Sequence, residues 1–136
     1  MTAERTFDAS DEKLHDVLNF VEEELEKHDV SMKTMMAINV AVEEIFVNIA
    51  KYAYAPGSGD AFVRVEIGDD PREARITFID SGIAYDPLKK ADPDVTLSAE
   101  ERQIGGLGIY MVKQSMDDIH YEYREGKNRL TLIKEF

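Results

Sequence analysis

What this chain lacks narrows it first. It has no cysteine among 136 residues, so disulfide frameworks and thiolate metal centres are excluded. Histidine is scarce, and His15, His28 and His120 stand apart without metal-ligand spacing. No apolar run reaches the roughly 18 residues needed to cross a bilayer, and the first residues lack a basic-then-apolar leader pattern. A cytoplasmic location without membrane association is therefore expected. Positive charge is also in short supply: 16 Lys and Arg face 28 Asp and Glu, a formal net charge of -12. That field repels nucleic-acid phosphates, so direct binding to DNA or RNA is not expected. It suits a basic protein partner, or a nucleotide whose charge is offset by a metal ion and local backbone donors.

What is present is an ordinary globular composition, 43% hydrophobic and 32% charged, at a length that suits one domain spanning 1–136. Residues Arg5 to Ala9 alternate weakly, as an edge strand would. Ser10 precedes a first amphipathic helix in which Leu14, Val17, Leu18, Val21 and Leu25 recur at helical spacing. Ser31 is placed to cap a second, longer helix that begins near Met32 and runs to Tyr54, with Met32, Met35 and Met36 as core filler. The breaker cluster Ala55-Pro56-Gly57-Ser58-Gly59 ends it. The period then changes to two. Phe62 to Ile67 and Ala74 to Ile79 read as strands joined by a turn at 69–72. A third helix, with Ile109, Val112 and Met116 inward, follows Gly105-Gly106-Leu107-Gly108. A closing hairpin turns around Gly126-Lys127-Asn128. The order predicts an antiparallel or mixed sheet with helices on one face, an α+β two-layer sandwich.

The second helix is apolar almost all round, which means burial. Within it, Glu44, Asn48 and Lys51 follow at steps of four and three, and about 100° per residue places them on one stripe with Ala37 and Ala41. Glu43 points elsewhere and reads as a surface or salt-bridging residue. Asn48 offers a neutral oxygen to Mg²⁺, an ion that keeps several waters and bridges protein to phosphate oxygens. Lys51 is placed to reach a phosphate. Asp80, at a strand end before Ser81-Gly82, is an acceptor suited to the exocyclic amine of adenine. Gly105, Gly106 and Gly108 at a helix start let backbone N–H groups approach phosphates. Glu44 stands where a general base for phosphoryl transfer is needed.

These three blocks resemble the Bergerat-fold, histidine-kinase-like ATPases, and within them the bacterial anti-sigma factor serine/threonine kinases. The resemblance covers nearly the whole chain. Glu44 to Asn48 is similar to the N box, Asp80-Ser81-Gly82 to the first glycine box, and Gly105 to Ile109 to the second. It implies a mixed, mostly antiparallel sheet with three helices on one face. It implies ATP and Mg²⁺ as ligands, with Asn48 on the metal, and with Lys51, Tyr52, Asp80, Gly82, Arg102, Gly105, Gly106, Leu107 and Gly108 around the nucleotide. Residues 89–104 would form the ATP lid, and Arg102 would either stabilise the transferring phosphate or be a surface residue of that lid. A companion to Asp80 from a late strand would be Asn128.

By the same resemblance the activity is ATP-dependent phosphorylation of an anti-anti-sigma (STAS-type) protein, with Glu44 as base and a sigma factor as the alternative partner. Homodimers are common in such families. The alternative function is a catalytically weak nucleotide-binding module that sequesters a regulatory partner. No helix carrying a phosphoacceptor histidine accompanies the blocks, which argues against a complete histidine kinase. Two positions depart from the family pattern: Ala84 replaces a second glycine after Asp80-Ser81-Gly82, and Tyr52 stands where many anti-sigma kinases have histidine.

Overall fold

Strict alternation in the middle of the chain generates the sheet that carries everything else. A computed structural model describes residues 2–89 and 107–136. In strand β2 (Asp60–Asp69), Ala61, Val63, Val65 and Ile67 are buried while the residues between them are more exposed. Strand β3 (Arg72–Asp80) buries Ala74, Ile76, Phe78 and Asp80 on the same face. With β1 (Thr2–Asp8), β4 (Asp118–Arg124) and β5 (Lys127–Glu135) they form one five-stranded sheet, ordered β1-β2-β3-β5-β4. Each pairing is antiparallel, so the mixed arrangement is not observed among the described residues.

Three helices cover one face of this sheet. Helix α1 (Leu14–Glu26) buries Val17, Val21 and Leu25. It is entered through a short 3-10 turn, Asp11–Lys13, and Ser10 makes no side-chain capping bond. Helix α2 (Met32–Asn48) begins as the sequence predicts: the Ser31 hydroxyl accepts from the Thr34 N–H at 3.2 Å. Its inner side, Ile38, Ala41, Val42, Ile45 and Phe46, lies against the sheet. Each large side chain so buried is worth roughly 1.5–3 kcal/mol. Met35 joins this core, but Met32 and Met36 are 75% and 61% exposed, so core filling is confined to one of the three methionines. Helix α3 (Leu107–Ser115) turns Ile109 and Val112 inward, and Met116 just beyond it is buried too.

Two local departures from the sequence reading reshape the site. The second helix does not run on regularly to Tyr54: Ile49–Ala53 form a π-helical turn. The final hairpin turns at Glu125-Gly126, with φ of 55° and 76°. Two consecutive left-handed residues make the tight two-residue turn that matches strand twist. Lys127 and Asn128 therefore belong to β5, which places Asn128 directly opposite Asp80 on β3.

Candidate functional site

The end of α2, the end of β3 and the start of β5 converge on a cavity of about 510 Å³. That lies within the roughly 300–1,000 Å³ typical of small-molecule sites. Its walls are largely apolar, from Ile45, Ile49, Phe78 and Leu130, with Asn48, Asp80, Tyr121 and Asn128 as polar groups among them.

Asp80 is the anchor. The residue is 6% exposed, and its Oδ1 accepts from the Gly82 N–H at 2.9 Å and from Asn128 Nδ2 at 3.0 Å. Its other oxygen has no hydrogen-bond partner among the described residues, and the side chain lines the cavity. A carboxylate held by one oxygen leaves the second as a directed acceptor. Asn128 extends this network. Its amide donates also to the Ile83 carbonyl at 2.8 Å, while its oxygen accepts from the Tyr85 N–H at 3.2 Å and from the Tyr121 hydroxyl. Burial pushes the Tyr121 pKa upward, and the nearby Asp86 and Asp80 charges add to that rise, which keeps the hydroxyl protonated.

The strand end is fastened to the helix end from behind. The Ala53 carbonyl accepts from the Ile83 N–H at 3.0 Å, and the Tyr54 hydroxyl accepts from the Ser81 N–H at 2.8 Å while donating to the Asp60 carbonyl. Gly82 lies so close that a Cβ there would fall on the backbone of Ala53. Glycine is required at this point by close approach alone.

The sequence-predicted residues divide into three groups. Asn48, Tyr52 and Asp80 line the cavity together, and Gly82 packs beside it. Lys51 is exposed and is absent from the cavity lining, because the π turn advances fewer degrees per residue than an α-helix. It carries Tyr52, rather than Lys51, round to the face of Asn48. Glu44 stands one turn before Asn48 and is half-buried, with its carboxylate against Gly108 in the first turn of α3: a Cβ on Gly108 would overlap it. Glu43 is exposed, as its heading predicts. Leu107 opens α3. Arg102, Gly105 and Gly106 lie outside the described residues, as does the expected lid, 89–104, apart from Lys89 at its start. Ala84 is exposed.

The cavity offers an apolar slot and, at its wall, a carboxylate oxygen able to accept from a ligand's amine. No group of three His, Asp or Glu side chains able to hold a metal exists among the described residues. Asn48, on the cavity wall, carries a neutral amide oxygen of the kind that Mg²⁺ accepts beside waters and phosphate oxygens. Tyr121 and Tyr85 were not legible as site residues. Tyr121 shares a face of β4 with the apolar Ile119, a pattern that marks a packed face and carries no sign of a ligand.

The sheet order, the helical layer and this cavity at the end of α2 define a histidine kinase-like ATPase domain. A family model of that description matches residues 7–134, and the chain belongs to that family. Among characterised proteins, it is similar to the serine/threonine-protein kinase BtrW of Bordetella bronchiseptica, 29% identical over 102 residues, 75% of this chain and 71% of that one. It is also similar to the serine-protein kinase RsbW of Listeria monocytogenes, 32% identical over 102 residues, 71% of this chain and 63% of the kinase. The chain thus spans less than two thirds of the Listeria protein. Its fold is shared with the structure of the RsbU and RsbW domains of Rv1364c from Mycobacterium tuberculosis, at a TM-score of 0.69 and 17% identity, over 98% of this chain and 32% of that one. A chain of the SiaB–SiaC complex from Pseudomonas aeruginosa matches at 0.61 and 15%, over 97% and 89%. Among the described residues, no helix is long and apolar enough to cross a membrane.

Proposed function

We propose that this chain is an ATP-dependent protein serine/threonine kinase of the anti-sigma type, acting on an anti-anti-sigma partner and otherwise holding a sigma factor. The observation that carries the nucleotide part is Asp80, fixed by Asn128 and Gly82 with one oxygen left toward an apolar cavity beside Asn48. The relatives named as serine kinases support the activity. In this reading Asp80 accepts from the adenine amine and Tyr52 flanks the nucleotide. Asn48 would hold Mg²⁺, which would offset the phosphate charge. Glu44 takes the proton from the acceptor hydroxyl as its oxygen bonds to the γ-phosphorus and the bond to the β–γ bridging oxygen breaks, releasing ADP. Gly105 to Gly108 and Arg102 serve the phosphates.

One observation favours the alternative of a catalytically weak binding module: the Glu44 carboxylate packs against Gly108 and does not line the cavity. The two readings separate in one experiment. Thermal melts are recorded with Mg²⁺ and ATP, ADP or GTP, in the wild type, Asp80→Asn and Glu44→Gln. A ligand at about 100 times its Kd stabilises by about 2.7 kcal/mol. The expected result is an adenine-selective shift, lost in Asp80→Asn and kept in Glu44→Gln, with phosphorylation of an anti-anti-sigma substrate abolished by Glu44→Gln. No shift in the wild type refutes nucleotide binding. A shift without phosphate transfer, equal in wild type and Glu44→Gln, supports the binding module.

A further inference from the structure

The amide of Asn128 has no spare hydrogen-bonding capacity. Its two N–H groups go to Asp80 Oδ1 at 3.0 Å and the Ile83 carbonyl at 2.8 Å. Its oxygen takes the Tyr85 N–H at 3.2 Å and the Tyr121 hydroxyl. An asparagine side chain offers two donors and two lone pairs, so each of the four is used. The orientation of the amide is also forced. A carboxylate and a carbonyl can only accept, and a backbone N–H can only donate, so a flipped amide would meet three like groups at once. With the amide so placed, Tyr121 must donate.

A side chain in this condition cannot bind a ligand directly, although it stands on the cavity wall. Its effect passes through what it holds. It occupies Oδ1 of Asp80, which leaves the other oxygen as the free acceptor. It also ties Ile83 and Tyr85, the residues by which the chain leaves β3, to β5. Register makes this possible: Asp80 and Asn128 are direct cross-strand partners, and Tyr121 reaches Asn128 diagonally from the next strand.

Resting on the adenine reading of Asp80, we infer that Asn128, locked by Tyr121, is a positioning residue that sets purine selectivity by fixing which carboxylate oxygen of Asp80 faces the base. Without it, Asp80 rotates, both oxygens solvate, and the directed acceptor for the 6-amino group is lost. The ring slot formed by Ile45, Ile49, Phe78 and Leu130 stays intact, so base binding persists while discrimination at the 6-position falls.

The test compares two ligands that differ only in that amine, ATP and purine riboside 5′-triphosphate, each titrated calorimetrically with Mg²⁺. In the wild type the amine should be worth on the order of 10-fold to 100-fold in Kd, the range for a hydrogen bond to a charged group. Asn128→Ala should shrink that ratio to about 3-fold or less while affinity for the amine-free ligand changes little. Asn128→Asp, equal in size but accepting where the amide donates, should lose the ratio as well, an outcome that mere space-filling would not produce. Tyr121→Phe removes a single oxygen and leaves the core intact; it should lower the ratio part-way, because the Tyr85 N–H still holds the amide. If the variants weaken both ligands equally and the ratio survives, Asn128 only shapes the wall and the inference is overturned. Should Asn128→Ala fail to fold, an unchanged ratio in Tyr121→Phe overturns it equally. A wild type that binds both ligands with one affinity refutes instead the adenine reading of Asp80 on which this rests.

Discussion

Gly82→Ala tests whether the junction between β3 and the π turn is as tight as the geometry states. A Cβ at Gly82 would lie 2.6 Å from the Ala53 carbonyl carbon and 2.7 Å from its Cβ, and closer still to the carbonyl oxygen. Ordinary carbon contacts are about 3.5–4.0 Å, so relief requires roughly 1 Å of movement. The obstacle is backbone, which no rotamer change can clear. Overpacking of this kind costs about 1–3 kcal/mol. Separation also stretches the 3.0 Å bond from the Ile83 N–H to the Ala53 carbonyl, worth about 1 kcal/mol. The sum is about 2–4 kcal/mol, or roughly 8–16 °C in Tm for a domain of this size. Gly68→Ala is the control. A Cβ there meets Glu73 Cγ at 3.6 Å and the Pro71 carbonyl oxygen at 3.8 Å, ordinary contacts. Removing glycine freedom from the unfolded chain should then stabilise by about 0.4–1 kcal/mol. Melts of both variants by circular dichroism decide it. A Gly82→Ala protein that melts within about 2 °C of wild type, or a Gly68→Ala protein that falls as far, refutes the argument from close approach.

Two further outcomes come from the caps and the tyrosine. Ser31→Ala removes the acceptor for the Thr34 N–H at the start of α2; the loss should be about 1 kcal/mol, read as a Tm lower by about 4 °C, whereas Ser10→Ala, at a position with no side-chain cap, should change little. Tyr121 gives a pH signature. Its folded pKa lies above the unfolded value of about 10, chiefly through burial. Its contribution is therefore fully present below about pH 10 and lost as pH rises through the folded pKa. The Tm difference between wild type and Tyr121→Phe should be constant below about pH 10 and shrink as pH rises above it; a difference that stays constant there would show that the hydroxyl is not held by the fold.

The parts of this molecule that were legible in the sequence are those fixed by local patterning. Alternation of Ala61, Val63, Val65 and Ile67 against more exposed neighbours announces β2 without any knowledge of its partners. Ser31 announces the start of α2 because its cap bond spans three residues. The glycine and asparagine blocks stood out for the same reason: their residue types follow from local chemistry. What could not be read depends on bonding patterns with no residue signature. An α-helix and a π turn are built from the same side chains, so the stripe Glu44-Asn48-Lys51 was drawn at a constant angle. The wider turn over Ile49–Ala53 breaks it after Asn48 and substitutes Tyr52. Asn128 was named as the companion of Asp80 only through the family resemblance, and the structure pairs the two; no local pattern could show it, since Asp80 lies 48 residues away and is reached only through the β3–β5 register. That register in turn depends on where the last hairpin turns. Placing the turn at Glu125-Gly126, rather than one or two residues later, sets Asn128 opposite Asp80; a one-residue slip would send its side chain through to the other face of the sheet. The Asp80–Asn128 pair on the cavity wall is thus tied to two residues with positive φ at the far end of a hairpin, a dependence carried by backbone conformation and invisible to composition.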